Sequence, residues 1–506
     1  MANPLYDRLF GVHAGKTTPF LQLLDGSTIS HRDFLATTAQ LANVMSRLGL
    51  KTGDRVAAQV EKSPQALALY AACAQAGLVF LPLNTAYTVD ELSYFIDNSG
   101  AALIVCDSRN AAALQVVAGE RGARLETLDG DGSGSLMAQA ANMPNSYPTV
   151  ARSGDDLAAF LYTSGTTGRS KGAMLTQDNL LSNAETLTRA WHFSADDVLL
   201  HALPIFHTHG LFVAVNISLI AGGKMVFIPK FDLDALIENM PRATAMMGVP
   251  TFYTRLLGDA RFTRDLVAHM RLFVSGSAPL LTETHLQFEE RTGHRILERY
   301  GMTETNMNTS NPYDGERRAG TVGFPLPGVE LKITDPESGE TLADGEVGQI
   351  EVRGPNVFKG YWQMPEKTAA ELREDGFFIT GDLGTVDDDG YVHIVGRGKD
   401  LIISGGFNVY PKEVETAIDA IDGVVESAVI GVPHPDFGEA GVAVVVAQPG
   451  AAVDEAAVIA ALQDQLARFK QPKRVLFVDE LPRNTMGKVQ KNVLRDEHAT
   501  LLTKGR

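Results

Sequence analysis

Residues 158–176 read AAFLYTSGTTGRSKGAMLT, and the fold turns on how this run is parsed. Ala158–Tyr162 is an apolar run of strand length. Tyr162–Gly172 then gathers three glycines, five Ser/Thr hydroxyls and one lysine. Glycines let the backbone turn tightly and bring N–H groups to a phosphate, while the hydroxyls add donors and Lys171 a point charge. A Walker A loop needs Gly directly before its lysine, and Ser170 stands there instead. A solvated Gly/Ser/Thr turn is the competing reading. The continuation into an apolar run, and into a helix-capping residue at Thr176, argues against it.

Outward from this loop, short apolar runs alternate with helical patterns from near residue 30 to about residue 260. Ser63 caps a helix that has Pro64 at its first position, and Gly77 is placed to end it. Val79–Leu83 reads as a strand, Thr88 and Glu91 form a capping box, and Ala102–Cys106 reads as a further buried strand. Such alternation predicts largely parallel α/β sheets covered on both faces. The Gly/Ser/Asp/Asn-rich stretch 129–155 predicts surface loop with at most one short helix. From about Gly320 to Gly396 the texture becomes β-rich, with strands over Gly348–Val352 and Tyr391–Val395. Beyond Lys399 come a helix from Pro411, strands over Ser427–Val432 and Gly441–Val446, a helix over Asp454–Phe469 and a strand over Arg474–Val478. The expected architecture is a large α/β N-terminal domain, residues 1–398, with a β-rich subdomain, and a small mobile α+β lid domain, residues 399–506.

Composition narrows the function classes. With 44 Lys+Arg against 61 Asp+Glu the 506-residue chain carries a net charge of −17. An acidic chain without a basic stretch is a poor partner for nucleic acid or an anionic membrane. Two cysteines, Cys73 and Cys106, both in apolar segments, build neither a disulfide framework nor a cysteine zinc site. The N-terminal MANPLYDRLF lacks a signal-peptide layout, and the apolar stretch Leu211–Pro229 is interrupted by Asn216, Gly222, Gly223 and Lys224. The expectation is a cytoplasmic protein.

Tyr162–Gly172 resembles the phosphate-binding signature of the AMP-forming acyl-CoA synthetases, an adenylate-forming family. Further segments resemble that family in order: SGSAPL at Ser275–Leu280, RYGMTE at Arg299–Glu304, TGDLG at Thr380–Gly384, GRGKDLI at Gly396–Ile402, SGGFNVYPKEVE at Ser404–Glu415 and PRNTMGKVQK at Pro482–Lys491. The resemblance implies two steps. A carboxylate attacks the α-phosphate of ATP to give an acyl-adenylate, and the thiol of coenzyme A then expels AMP. It implies ATP, Mg²⁺ and coenzyme A as ligands. Thr163, Ser164, Gly165, Thr166, Thr167, Gly168 and Lys171 would hold the β- and γ-phosphates, Thr303 would donate near the α-phosphate, and Glu304, with Thr163, would hold Mg²⁺. Tyr300 resembles the ring that stacks on adenine, with Glu298, Gly301 and Met302 also at cofactor-binding positions, Asp382 and Arg397 the pair that fixes the ribose, and Ser275, Gly276, Ser277, Ala278 and Pro279 the lining of the nucleotide and acyl pocket.

Lys488 resembles the catalytic lysine that bridges the incoming carboxylate and the α-phosphate. Lys399 and Asp400 match the hinge, about which rotation would exchange Lys488 for the Ser404, Gly405, Gly406 and Phe407 loop that admits pantetheine. A lysine acetyltransferase acting on Lys488 would switch adenylation off.

The acid is not fixed by family. Arg299 precedes Tyr-Gly-Met-Thr-Glu where a small or neutral residue is common in enzymes for monocarboxylates. A guanidinium there suits a second carboxylate, which it grips with two parallel hydrogen bonds; an ion pair with Glu298 is the competing explanation. LERYGMTE also resembles malonyl-CoA synthetases. His207 lies at the wall between acyl pocket and thiol channel, as a gate or as a malonate contact, with Ser277 lining the same pocket. The expected reaction is ligation of malonate to coenzyme A. Methylmalonate, succinate, oxalate, acetate and propionate are the alternative acids, and a non-catalytic nucleotide-binding module of the same fold is the alternative class.

Overall fold

The computed structural model describes residues 2–163, 170–404, 407–435, 437–463, 465–484 and 487–503. The chain groups into two compact units: residues 1–330 with 352–378, and residues 331–351 with 379–506.

The first unit holds two sheets. In the six-stranded sheet the order is Arg124–Thr127, Leu103–Cys106, Arg55–Gln59, Val79–Pro82, Leu157–Thr163, Lys171–Thr176. The first five run parallel, and Lys171–Thr176 returns antiparallel to Leu157–Thr163 as the arms of the Gly/Ser/Thr hairpin. The local chemistry is the expected one. Ser63 Oγ accepts from the Ala66 N–H with Pro64 at the first helical position, and Gly77 ends the helix Pro64–Ala76 at φ 69°. The Thr88/Glu91 capping box is formed in both directions, and the stretch 129–155 carries one short helix, Ser135–Ala140. Leu81, Phe95, Ile104, Leu114 and Phe160 close the core on one face.

The nine-stranded sheet has a parallel centre, Leu297–Met302, Leu272–Ser275, Ala245–Gly248, Val198–His201, Lys224–Phe227 and Pro19–Gln22, flanked by antiparallel strands. In such sheets ligands gather beyond the carboxyl ends of the strands. Those ends carry His201, Gly248 and Ser275, followed by the loops with His207 and Ser277, and Arg299 lies just past the last parallel pairing of its own strand.

The second unit contains most of a four-stranded sheet, Glu330–Thr334, Gly348–Arg353, Phe378–Val386, Val392–Arg397, and a five-stranded sheet built on the long antiparallel pair Val424–His434 and Gly438–Ala447. Helix Pro411–Asp419 and helix Glu455–Gln463 contribute to the core on one face of that pair, with Leu481 and Leu494 on the other. Both strands extend past the expected Ser427–Val432 and Gly441–Val446, because their pairing continues without interruption from Glu426 to His434. The helix expected to reach Phe469 is assigned only to Gln463; Phe469 instead stacks on Phe407 with ring centroids 4.8 Å apart. Cys73 and Cys106 are buried free thiols; burial pushes that of Cys106 up to about 11. Among the described residues no helix is long and apolar enough to cross a membrane.

Candidate active site

The Gly/Ser/Thr hairpin pairs Thr163 directly with Lys171 at the base of its loop. Residues Ser164, Gly165, Thr166, Thr167 and Gly168, expected to cradle phosphate, lie outside the described residues, as do Gly405 and Gly406. The base is anchored from one helix, Val89–Ser99. Tyr162 donates to Asn98 Oδ1 at 2.6 Å and packs on Phe95, and Tyr94 donates to the Ser170 carbonyl at 2.9 Å.

Lys171 Nζ sits 3.5 Å from Glu371 and 4.2 Å from the Tyr361 ring centroid. The Tyr361 hydroxyl lies between two carboxylates, 2.8 Å from Glu371 Oε2 and 3.0 Å from Glu304 Oε1. One hydroxyl proton cannot serve both at once, so the cluster concentrates negative charge and favours nearby cations. Burial raises the Tyr361 pKa and the two carboxylates raise it further, which keeps the phenol protonated. Burial pushes Glu371 up, but hydrogen bonds from Lys367 and Tyr361 and the charge of Lys171 outweigh it and hold Glu371 below the usual range. Glu304 is buried at the turn after the strand Leu297–Met302, with Thr303 half-buried beside it. Gly301 has no room for a side chain, since a β-carbon would stand 2.0 Å from the Asn306 carbonyl oxygen. Tyr361 and Glu371 were not foreseen; 57 residues separate Tyr361 from Glu304, and no motif spacing marks the pair.

Arg299 lies on the next stretch of the same strand. Ser275 pairs with Glu298, so Arg299 runs just past the end of its neighbour, alongside Gly276. Its side chain is 4 % exposed, and its Nε and Nη2 find no hydrogen-bond partner among the described residues. Strand alternation sends Glu298 to the other face, where it approaches His285 Nδ1 at 3.6 Å. The competing ion pair between Arg299 and Glu298 is therefore not formed. Burial lowers the guanidinium to about 9, which leaves it charged at neutral pH. Tyr253 is its titratable neighbour, but burial keeps that phenol neutral, and it donates to the Val274 carbonyl at 2.6 Å.

Two histidines face this cation. Burial, then the Arg299 charge, lowers His207 to about 4 and His209 well below its ordinary value, so both are neutral at pH 7. The His209 N–H donates to His207 Nδ1 at 3.2 Å, which leaves the His207 proton on Nε2. Ser277, at φ 73°, brings its hydroxyl 3.3 Å from His209 Nδ1. Arg299, His207, Ser277 and Gly276, expected together, are together; His209 and Tyr253 complete the group. Ser275 is buried, Ala278 half-buried and Pro279 exposed. Tyr300 and Met302 are half-buried along the strand.

In the second unit Asp382 and Arg397 pair across adjacent strands, with Arg397 Nε 2.7 Å from Asp382 Oδ1. The Asp382 N–H donates to Thr380 Oγ1 and Gln349 donates to its carbonyl, which fixes the carboxylate's backbone. Lys488 belongs to the same neighbourhood. Its side chain reaches solvent, yet surrounding protein strips hydration from the ammonium and lowers its pKa, with Arg397 and Lys399 acting in the same direction against Asp382 and Asp400. Lys399 is lowered too, chiefly by burial. Asp400 is ion-paired with Arg495. Ser404 is buried, and exposed Phe407 stacks on Phe469.

Comparison with known proteins identifies the family. Residues 12–362 match the AMP-binding enzyme family and residues 413–488 its C-terminal domain. The ATP-bound crystal structure of MatB from Rhodopseudomonas palustris superposes with a TM-score of 0.97 at 59 % identity, covering 99 % of this chain and 100 % of that one. A feruloyl-CoA synthase from Amycolatopsis is 37 % identical over 93 % of this chain and 94 % of its own. A malonate–CoA ligase from Arabidopsis thaliana is 37 % identical over 83 % of this chain and 74 % of its own. With the adenylate-forming fold formed and both segments of the family matched, the chain belongs to the AMP-binding enzymes, in their AMP-forming CoA ligase branch.

Proposed function

We propose that the chain ligates malonate to coenzyme A, with ATP and malonate giving malonyl-adenylate and pyrophosphate, and the coenzyme A thiol then giving malonyl-CoA and AMP. The observation that carries this reading is the buried guanidinium of Arg299, charged at neutral pH and with Nε and Nη2 unbonded among the described residues. A desolvated charge without a partner is costly. A bound substrate with a second carboxylate removes that cost through two parallel hydrogen bonds, whereas a fatty or aromatic tail leaves it standing.

Around that anchor each side chain takes one task. His207 Nε2–H donates to the acyl group, and Ser277 and Gly276 shape its pocket. Lys171 and Thr163 stand at the base of the triphosphate loop 164–168. Glu304, a single hard carboxylate, and the Thr163 hydroxyl would hold Mg²⁺, a cation that takes few protein ligands and would supply positive charge against the triphosphate. Thr303 donates near the α-phosphate, Tyr300 packs against adenine beside Gly301 and Met302, and Asp382 with Arg397 holds the ribose. Lys488 neutralises the attacking carboxylate and α-phosphate together. Rotation at Lys399 and Asp400 then presents Ser404–Phe407 to pantetheine.

The test is a panel of acids assayed for AMP release with coenzyme A. Malonate should have the highest kcat/KM, ahead of methylmalonate, succinate, acetate and propionate. Arg299→Ala should lower the malonate kcat/KM by about 10²-fold or more, the cost of one buried charge-assisted contact, while leaving acetate little changed. Equal loss for both acids, or preference of the wild type for a monocarboxylate, would overturn the malonate assignment.

A further inference from the structure

Lys62 is a buried lysine, far in sequence from the phosphate-loop, strand and lid motifs. Its Nζ lies 2.6 Å from His201 Nδ1, 2.8 Å from the His201 carbonyl and 3.0 Å from the Leu203 carbonyl, with the Phe227 ring centroid 4.5 Å away. On the other side of its ring His201 Nε2 stands 2.8 Å from the Gly210 carbonyl.

The proton count of this cluster is constrained. The Gly210 carbonyl can only accept, so His201 Nε2 must carry a proton. Two carbonyls take two protons from the Lys62 nitrogen. The remaining contact, Nζ to Nδ1, then needs one more proton, either a third on an ammonium or one on an imidazolium. A neutral amine beside a neutral Nε2–H imidazole sets two lone pairs against each other at 2.6 Å. Burial lowers the pKa of both groups. The geometry nonetheless closes only when the pair retains one positive charge, a proton held in common between Lys62 and His201.

What this charge holds is the segment from His201 to Gly210. One end is fixed through two carbonyls, and the other through the ring of His201. The far end is tight: a β-carbon on Gly210 would stand 2.0 Å from the Pro204 carbonyl oxygen, and a buried π-helical turn, His209–Val215, begins at the preceding residue. Such turns are uncommon and recur at functional sites. His207 and His209 ride on this stretch, facing Arg299.

We infer that Lys62 is a positioning residue for the acyl pocket, its shared proton with His201 clamping the 201–210 segment so that His207 and His209 meet the acid held by Arg299. The inference rests on the acyl-pocket reading above, but not on which acid is the substrate.

The test uses full-length Lys62→Met, Lys62→Gln and His201→Gln enzymes, each checked for native circular dichroism and for retained ATP binding. Lys62→Met should raise KM for the preferred acid about tenfold and leave KM for ATP within about twofold, a split expected when one binding contact is displaced. Lys62→Gln, which keeps two donors for the two carbonyls, should recover part of the loss. His201→Gln, which keeps a donor toward Gly210 but lacks the shared proton, should add little to Lys62→Met in the double variant. In ¹⁵N-histidine spectra His201 should show a protonated Nε2 that persists across pH 6–8 in the wild type and becomes mobile in Lys62→Met. Parallel losses in acid and ATP KM, full additivity, or an unchanged His201 signal would overturn the inference. Because the kinetic comparison uses whichever acid the wild type prefers, failure of the malonate assignment would leave it interpretable.

Discussion

The guanidinium of Arg299 fills the space that a side chain on residue 276 would need: a β-carbon on Gly276 would stand 2.3 Å from Arg299 Cζ and 2.5 Å from Nη1. Glycine at 276 and arginine at 299 are thus two halves of one arrangement. Gly276→Ala should push the guanidinium aside and reduce the malonate kcat/KM by about 10- to 100-fold, consistent with misplacing a reacting partner by roughly an ångström. The Gly276→Ala/Arg299→Ala double variant should be no worse than Arg299→Ala alone, since the displaced group is already gone. Steady-state kinetics on the three proteins checks both statements, and an additive double variant would contradict the coupling.

Lys488 stands beside Asp382 and Arg397, and the ribose contact proposed for that pair should survive its loss. Lys488→Ala should slow acyl-adenylate formation by about 10²–10⁴-fold or more, as expected for one charge-assisted contact at a developing phosphoryl centre. Conversion of supplied malonyl-adenylate to malonyl-CoA should remain within about threefold of wild type, because that half-reaction needs no charge at the α-phosphate. Pyrophosphate exchange measures the first quantity and coenzyme A consumption from the preformed adenylate the second. Undiminished exchange would remove Lys488 from the chemistry.

Asp419 offers a pH dependence of stability. Burial raises its carboxyl to about 6, against the hydrogen bond from Ser427 at 2.7 Å. A folded-state pKa above the unfolded one means that the native protein holds this proton more tightly. The contribution to stability is full below about pH 4 and is lost as pH rises through about 6. Asp419→Asn keeps the Ser427 contact without the charge. It should therefore raise the Tm of the second unit's unfolding more at pH 8 than at pH 4.5. Calorimetry at the two pH values decides; equal shifts at both would sink the assignment.

Much of the fold was legible because its signals are local. The Ser63 cap, the Gly77 terminus and the Thr88/Glu91 box each sit within a few residues of the backbone groups they satisfy. Strand ends were less so: Val424–His434 outruns its apolar centre because pairing with the partner strand carries it into polar residues. At the site, Arg299 and His207 were readable as motif positions, yet the absence of a bond to Glu298 depended on which face of the strand each side chain takes. Tyr361, Glu371, His209 and Lys62 were not legible, because each matters through a partner brought near by the sheet crossovers rather than by spacing in the chain.

The contacts of Lys171 bear on the phosphate-binding role proposed for it. Its ammonium is already matched by Glu371 and by the face of Tyr361, so an arriving anion exchanges one counter-ion for another instead of meeting bare positive charge. Free inorganic phosphate, with a single group to offer, gains little from that exchange, whereas a triphosphate brings several groups at once. If Lys171 holds phosphate as proposed, discrimination against single small anions would begin at this ion pair, ahead of any reading of base or sugar.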